Sequence, residues 1–204
     1  MLNLGEILPG ESRVGITLLG QARSIEEAKP LIHRFREESA VTAAFEDLGA
    51  GWSDFLDAVQ VDTPDADMNR MLNIHNPRQC LITMNWSRYL SLYQLGFGAR
   101  GMGFRDSAQD VMGALPGAPD TSKNLLVKLL HVQKQDGSAM HQFNPLSMVA
   151  NMGDAAAEEY RPKFYSDDYL WGMLAVIAYL KETGDFDFLK QHSDADIIVC
   201  YHEE

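Results

Sequence analysis

The chain has 204 residues, of which 46% are apolar and 23% charged, a composition typical of globular proteins and not of disordered or collagen-like chains. Seventeen Lys and Arg against 29 Asp and Glu leave a net charge of −12. Without a basic run this balance argues against nucleic acid or an anionic membrane as a partner. Cys80 and Cys200 are too few for a disulfide framework or a cysteine-built zinc site. The N-terminus lacks a signal-peptide pattern, and the apolar run 169–180 is too short to span a bilayer. We therefore expect a cytoplasmic protein.

Residues 13–22, RVGITLLGQA, have the β-branched and aliphatic pattern of a strand, which needs a partner strand for its backbone groups. From Ser24 the hydrophobic period becomes helical. Ser24 and Glu27 form a capping-box pattern, and the apolar residues that follow share one helical face. A helix is therefore predicted from about residue 24, with Pro30 as a kink.

Further helices are expected over 40–47, ending at Gly49 or Gly51, and over 53–59. The pair Thr63-Pro64 is typical of an N-cap followed by proline in the first turn. Asp120 or Thr121 is the predicted cap of a helix whose core face is Leu125, Leu126, Leu129 and Leu130.

The segment YLWGMLAVIAYLKE predicts the most apolar helix of the chain. Ser166 is its expected N-cap and Gly184 its expected stop. Because this helix is apolar on nearly every side, it is predicted to be buried all round. The chain is thus mainly α after residue 23.

Residues 96–101, GFGARG, fit G-x-G-x-x-G. That pattern indicates a dinucleotide site only where it leaves a strand and opens a helix. The preceding TMNWSRYLSLYQL favours a helix instead, so a loop whose glycines let backbone approach another ligand is the better interpretation.

Arg100, Arg105, Asp106 and Asp110 follow within a glycine-spaced stretch. One interpretation is a pair of ion pairs at a helix N-terminus, where Asp106 complements the helix dipole. The other is a polar pocket, since Asp and Arg together hold sugar hydroxyls by charge-assisted hydrogen bonds. The residue types alone leave both open.

A second cluster is Tyr165-Ser-Asp167-Asp168-Tyr-Leu-Trp171. Acids in a first turn are common at ordinary helix starts. Two carboxylates beside aromatic rings are also typical of a general acid with a stacking platform for a sugar. His141 has no spaced partner and is predicted to be a hydrogen-bonding loop residue rather than a metal ligand.

Three segments carry a resemblance to a known family. They are TMNWSRYLSLYQLGFGARGMGFRDSAQDVMG, QDGSAMHQFNP and YSDDYLWGMLAVIAYLKETGDFDFL, with DTPDADMNRMLNIHNPRQC upstream. Together they resemble the inverting disaccharide phosphorylases of glycoside hydrolase family 94, a family that includes cellobiose phosphorylase. The resemblance covers residues 13–189.

The resemblance implies a β-sandwich, a helical linker and an (α/α)6 barrel. Residues 1–23 would be the tail of the sandwich, 24–62 the linker, and 63–204 the first part of the barrel. Twelve helices with their connections need roughly 200 residues, so the barrel would be truncated. The chain is therefore interpreted as an internal fragment, and its activity on its own is left open.

The resemblance also implies roles. Asp167 matches the general acid, with Asp168 as the alternative acid and otherwise a substrate-binding residue. Arg100, Asp106 and Tyr165 match positions at the donor sugar, and Arg88 matches an arginine on the phosphate side. One essential carboxylate suits phosphorolysis, because phosphate is already anionic, whereas an inverting hydrolase needs a second carboxylate to activate water.

The implied reaction is the reversible phosphorolysis of a β-glucosidic disaccharide such as cellobiose to α-glucose 1-phosphate, with inversion. Phosphate is a co-substrate, and neither a cofactor nor a metal is expected. Chitobiose, laminaribiose and cellobionic acid remain alternative substrates, and a non-catalytic carbohydrate-binding fragment is the alternative function. A homodimer is expected for the full-length parent.

Overall fold

The computed structural model describes residues 5–20, 22, 24–88, 101–134, 136–153 and 165–191. The chain divides into two compact units, Met1–Asp54 and Phe55–Glu204. The described part is mainly helical with one small three-stranded sheet, which confirms the predicted mainly α class. None of the described helices is long and apolar enough to cross a membrane.

Two helices begin in the first unit, α1 (Ile25–Arg34) and α2 (Glu38–Asp57). The predicted cap of α1 is confirmed, because the Ser24 hydroxyl accepts from the Glu27 backbone N–H at 3.2 Å. The predicted strand over 13–22 is wrong for the described residues 13–20, which have no regular secondary structure. Its backbone finds no partner strand among the described residues, and an unpaired strand is not stable alone.

The predicted helix break at Gly49 or Gly51 is also wrong, since α2 runs through both glycines. An added Cβ at either position would have no neighbour within 4 Å. A glycine in a helix costs only about 0.5–1 kcal/mol relative to alanine, which the rest of a 20-residue helix outweighs.

The second unit contains α3 (Ala66–Arg70), a π-helical turn (Met71–His75), α4 (Asn76–Ile82) and a second π-helical turn (Thr83–Arg88). The cap of α3 is Asp65 and not the predicted Thr63. The Asp65 carboxylate accepts from the backbone N–H groups of Asp67 and Met68. Thr63 instead donates its hydroxyl to the Asn69 side chain at 2.6 Å.

The remaining elements are α5 (Phe104–Ala114), α6 (Pro119–His131), α7 (Asp168–Thr183) and α8 (Asp187–Gln191). Neither Asp120 nor Thr121 caps α6, because Pro119 already occupies its first turn. Ser166 does not cap α7 either, because Asp167 holds the N-cap position without a side-chain capping bond. Gly184 ends α7 as predicted, with a left-handed φ of 67°.

The sheet consists of β1 (Met102–Gly103), β2 (Gln142–Phe143) and β3 (Ala150–Asn151), in that order and antiparallel. Met102 pairs with Phe143, and Phe143 with Ala150. Gly101, just before β1, has a φ of 84°, and an added Cβ there would lie 2.6 Å from the Phe143 carbonyl oxygen. Only glycine allows this approach, which brings β1 and the start of α5 against β2.

The core lies where α5, α6 and α7 meet. The predicted core face of α6 is confirmed for Leu125, Leu126 and Leu129, which are buried, while Leu130 is partly buried against the core. The fully buried large side chains include Phe104, Val111, Leu126, Leu129, Phe143 and Phe188.

The prediction that the apolar helix α7 is buried all round is wrong. Ala175 and Tyr179 are buried, but four apolar side chains at helical spacing stay 41–53% exposed. We call these the α7 outer stripe: Leu170, Met173, Leu174 and Ile177.

A partly buried polar cluster closes the C-terminal end of α7. The Asp185 carboxylate accepts from Lys123 Nζ and from the Tyr179 hydroxyl, each at 2.7 Å. These bonds lower the pKa of Asp185, and the bond to Asp185 raises the pKa of Lys123. Burial, followed by the bond to Asp185, raises the pKa of Tyr179.

This cluster predicts a pH-dependent stability. A carboxyl whose pKa is lowered by folding stabilises the fold above its ordinary value of 3.8, and this contribution is lost as the pH falls through the folded value. Asp185→Asn is therefore expected to lower the Tm at pH 7, with a difference that shrinks as the pH falls below 3.8. Thermal unfolding, monitored by circular dichroism at neutral and acid pH, measures the Tm difference and its dependence on pH.

The matched control is Asp187→Asn, since Asp187 pairs with Lys190 at an exposed site, where an ion pair contributes little. An Asp185→Asn Tm equal to that of the wild type at pH 7, or a difference constant down to acid pH, contradicts the assignment.

The α7 outer stripe predicts self-association of the chain. Each Leu, Ile or Val left exposed forfeits roughly 1.5–3 kcal/mol of burial, and contiguous exposed apolar surface drives association. Sedimentation velocity is expected to show oligomers or aggregates, and Met173→Glu with Ile177→Lys is expected to reduce their size.

The control exchanges charges elsewhere, Asp67→Lys with Arg70→Glu at an exposed ion pair, and leaves association unchanged. A monodisperse wild-type monomer with a sharp thermal transition would contradict this account.

Candidate functional site

The candidate site lies where the N-terminal ends of α5 and α7 meet β2. The Phe104 backbone N–H donates to the His141 carbonyl oxygen at 2.8 Å, which fixes the start of α5 beside β2. Gly172 allows α7 to pack closely on the other side, because a Cβ there would lie 2.9 Å from the buried Phe104 ring. Three segments distant in sequence therefore present their polar residues at one place.

Asp167 is the exposed carboxylate of this site. Its Oδ1 accepts from Arg105 Nη2 at 2.8 Å, and its Oδ2 accepts from the Trp171 indole Nε1–H at 3.2 Å. The Asp167 side chain nevertheless remains 42% exposed. Both bonds fix the orientation of the carboxylate, while the exposed fraction leaves room for a ligand.

Asp168, the next residue, is in the opposite situation. Its side chain is 1% exposed, its Oδ2 lies 2.9 Å from His141 Nδ1, and its Oδ1 lies 3.6 Å from Arg105 Nε. Since a buried carboxylate requires compensation, His141 and Arg105 are the groups that make its burial tolerable. The assignment of Asp168 to substrate binding stays a prediction, and its carboxylate is turned toward protein groups.

Tyr165 and His141 form an aromatic pair next to these carboxylates. Their ring centroids are 3.7 Å apart with an interplanar angle of 20°, so one face of Tyr165 is covered by the imidazole. Gly153 approaches from another side, where an added Cβ would lie 2.5 Å from His141 Cδ2. The imidazole is thus held by Tyr165, Gly153 and Asp168 together.

Asp106 lies in the first turn of α5, adjacent to Arg105. A Cβ on Gly103 would lie 3.0 Å from Asp106 Oδ2, which places this carboxylate over β1. The donor-sugar role of Asp106 stays a prediction. Arg100 and most of the G-x-G-x-x-G segment lie outside the described residues, and Arg88 closes the second π-helical turn without a described side chain.

The sequence clusters are brought together in part. Asp167, Asp168 and Tyr165 share one site, and the predicted hydrogen-bonding role of His141 is confirmed by its bond to Asp168. Sequence reasoning noted Arg105 but gave it no role, because its partner lies 62 residues away and no local pattern signals that pairing. Among the described residues, no group of three or more His, Cys, Asp or Glu side chains is arranged to hold a metal ion.

Comparison with known proteins decides the family. Residues 51–198 match the Glycosyl hydrolase 94 superfamily, catalytic domain. The chain belongs to this superfamily. The family resemblance carried by the RGMGFRDS and YSDDYLW motifs is thereby confirmed. The candidate site of this glycosyl hydrolase 94 chain lies within the matched residues.

Similar curated proteins include two disaccharide phosphorylases. The N,N'-diacetylchitobiose phosphorylase of Vibrio furnissii is 27% identical over 198 residues, covering 90% of this chain and 24% of the relative. The solabiose phosphorylase of Paenibacillus borealis is 30% identical over 183 residues, covering 90% of this chain and 21% of the relative. The chain thus spans about a quarter of the length of these glycosyl hydrolase 94 relatives.

A third relative has a different activity in its name. The cyclic beta-(1,2)-glucan synthase NdvB of Rhizobium meliloti is 30% identical over 182 residues, covering 89% of this chain and 6% of the relative. Similarity to this segment therefore accompanies more than one carbohydrate reaction. The substrate has to be argued from the site and tested directly.

Proposed function

We propose that the chain carries the general-acid part of an inverting disaccharide phosphorylase. The observation that supports this most strongly is the contrast between two adjacent carboxylates, because Asp167 is 42% exposed and Asp168 only 1%. A general acid has to reach the glycosidic oxygen, so the exposed Asp167 is the proton donor and Asp168 is not.

The reaction needs one protonated carboxylate and one nucleophile. A phosphate oxygen attacks the anomeric carbon while the bond from that carbon to the glycosidic oxygen breaks. Asp167 gives its proton to the departing oxygen, and the product is a sugar 1-phosphate of inverted configuration. In the reverse direction the Asp167 carboxylate takes the proton back, and the bonds from Arg105 and Trp171 hold this carboxylate in place.

Around Asp167 we assign Arg100, Asp106 and Tyr165 to the donor sugar and Arg88 to phosphate. Asp106 is adjacent to Arg105 in the first turn of α5, and the Tyr165 ring lies against His141, the partner of Asp168. These contacts support a donor-sugar pocket at the ends of α5 and α7. We further propose an (α/α)6 barrel for the complete catalytic domain, a homodimeric parent, a cytoplasmic location and no requirement for a cofactor.

The proposed substrate class is a β-linked disaccharide. Cellobiose follows from the sequence motifs, whereas the names of the relatives introduce diacetylchitobiose and solabiose. Laminaribiose and cellobionic acid complete the panel of candidates. The second candidate function is a non-catalytic carbohydrate-binding segment.

The test is phosphate-dependent release of sugar 1-phosphate from this panel by the full-length parent protein. Asp167→Asn keeps the size of the side chain and removes the proton, so a loss of about 10² to 10⁴ in rate is expected. Asp67→Asn is the matched control, because Asp67 is an exposed acid in the first turn of another helix, and it leaves the rate unchanged.

Near-normal phosphorolysis by Asp167→Asn would contradict the assignment and make Asp168 the candidate acid. A folded full-length parent that binds a disaccharide but releases no sugar 1-phosphate would contradict the phosphorylase function and support the binding function.

A further inference from the structure

The Arg105 guanidinium lies between two carboxylates that are adjacent in sequence. Its Nη2 donates to Asp167 Oδ1 at 2.8 Å, whereas its Nε faces Asp168 Oδ1 at 3.6 Å. The second distance is too long for a hydrogen bond. Arg105 is therefore bound to the exposed carboxylate and only close to the buried one.

The gap on the Asp168 side leaves two polar atoms unsatisfied. In the part of the chain that the structure describes, Arg105 Nε and Asp168 Oδ1 are both buried and have no hydrogen-bond partner. Buried donors and acceptors of this kind are rarely left unpaired, and these two atoms lie 3.6 Å apart. A shift of the guanidinium by less than an ångström would pair them.

Asp168 is the fixed member of this arrangement. Its Oδ2 is bound by His141 Nδ1 at 2.9 Å, and the imidazole is itself stacked on Tyr165. The Arg105 side chain is 36% exposed and the Asp167 side chain 42%. The half-exposed guanidinium is therefore the part that moves.

We propose that Arg105 is a positioning residue with two positions, set by the protonation of Asp167. While Asp167 is ionised, Arg105 holds its carboxylate against the Trp171 indole. When Asp167 takes up a proton from solvent, the attraction to Arg105 falls, and Arg105 Nε closes onto Asp168 Oδ1. This inference rests on the proposed role of Asp167 as the general acid.

The charges around Arg105 and Asp167 explain why the movement of Arg105 serves the role of Asp167 as general acid. In the described residues, Asp167 faces Arg105 from α5 and has Asp168 beside it, with His141 and Tyr165 behind Asp168. One guanidinium serves two carboxylates while Asp167 is ionised. Once Asp167 is protonated, the Arg105 cation and the Asp168 carboxylate form a pair of opposite charges, and the acidic proton is left free to face a substrate oxygen.

Trp171 provides a reporter that needs no turnover, because its indole donates directly to Asp167. With Trp52→Phe and Trp86→Phe, Trp171 is the single tryptophan. Its emission is followed in the full chain from neutral to acid pH, with circular dichroism at each pH to verify folding. The wild type is expected to show a transition that Asp167→Asn abolishes.

Arg105→Gln is expected to move this transition to higher pH, because it removes the cation that lies 2.8 Å from Asp167 Oδ1. Arg105→Lys retains the positive charge, so its transition is expected to lie close to the pH of the wild-type transition. The control Arg70→Gln removes an arginine from an exposed ion pair and leaves the transition in place. High salt provides a second measurement on the wild type, since raising ionic strength to about 1 M screens a half-exposed pair and also moves the transition upward.

A folded Arg105→Gln protein with the wild-type transition overturns the proposal, as does a transition that survives Asp167→Asn. If Arg105→Gln does not fold, a wild-type transition that is insensitive to salt overturns it. The result is separable from catalysis. An Arg105-dependent transition in the chain, together with no phosphorolysis by the full-length parent, overturns the proposed function alone. Phosphorolysis by the parent without that transition in the chain overturns only the positioning role.

Discussion

The buried carboxylate of Asp168 is the constraint on which the site depends. Removing an ionised carboxylate from water costs several kcal/mol unless cations and hydrogen bonds compensate. Asp168 is 1% exposed, so the fold has to bring compensating groups to it. His141 arrives from 27 residues upstream and Arg105 from the start of α5, and these contacts tie α5, β2 and α7 together.

The same contacts place the adjacent carboxylates of Asp167 and Asp168 in different environments. Asp168 opens α7 and points into the protein, whereas Asp167 occupies the N-cap position without capping a backbone N–H. Its oxygens are therefore available to Arg105, Trp171 and a ligand. The close packing allowed by Gly172 against Phe104 keeps the ends of α5 and α7 near enough for Arg105 to reach both acids.

The sequence predicted what local chemistry determines. The Ser24 cap, the stop at Gly184 and the buried leucines of α6 follow from patterns that span a few residues. Competing local signals misled the prediction of other boundaries, since Asp65 and not Thr63 caps α3 and two glycines do not interrupt α2. The hydropathy of the sequence identified α7 as an apolar helix, but it does not indicate which side of the helix packs against the core.

The sequence likewise predicted some features of the candidate site and missed others. Family motifs drew attention to Asp167 and Tyr165, but the pairing of Arg105 with Asp167 is a tertiary contact that no sequence period reports. The role of His141 was predicted only as hydrogen bonding, because its partner Asp168 lies in a separate segment. The different roles of Asp167 and Asp168 depend on how far each side chain is buried, and a sequence of two adjacent aspartates does not indicate this.

A double-mutant cycle on Asp168→Asn and His141→Gln tests the central claim most directly. Equilibrium unfolding in urea at one fixed protein concentration gives the free energy of unfolding of the wild type, the two single variants and the double variant. If Asp168 depends on His141 for its burial, the two effects are non-additive, with a coupling energy of about 1–3 kcal/mol. Effects that add within about 0.5 kcal/mol would contradict the account, because the buried carboxylate would then not be what ties these segments together.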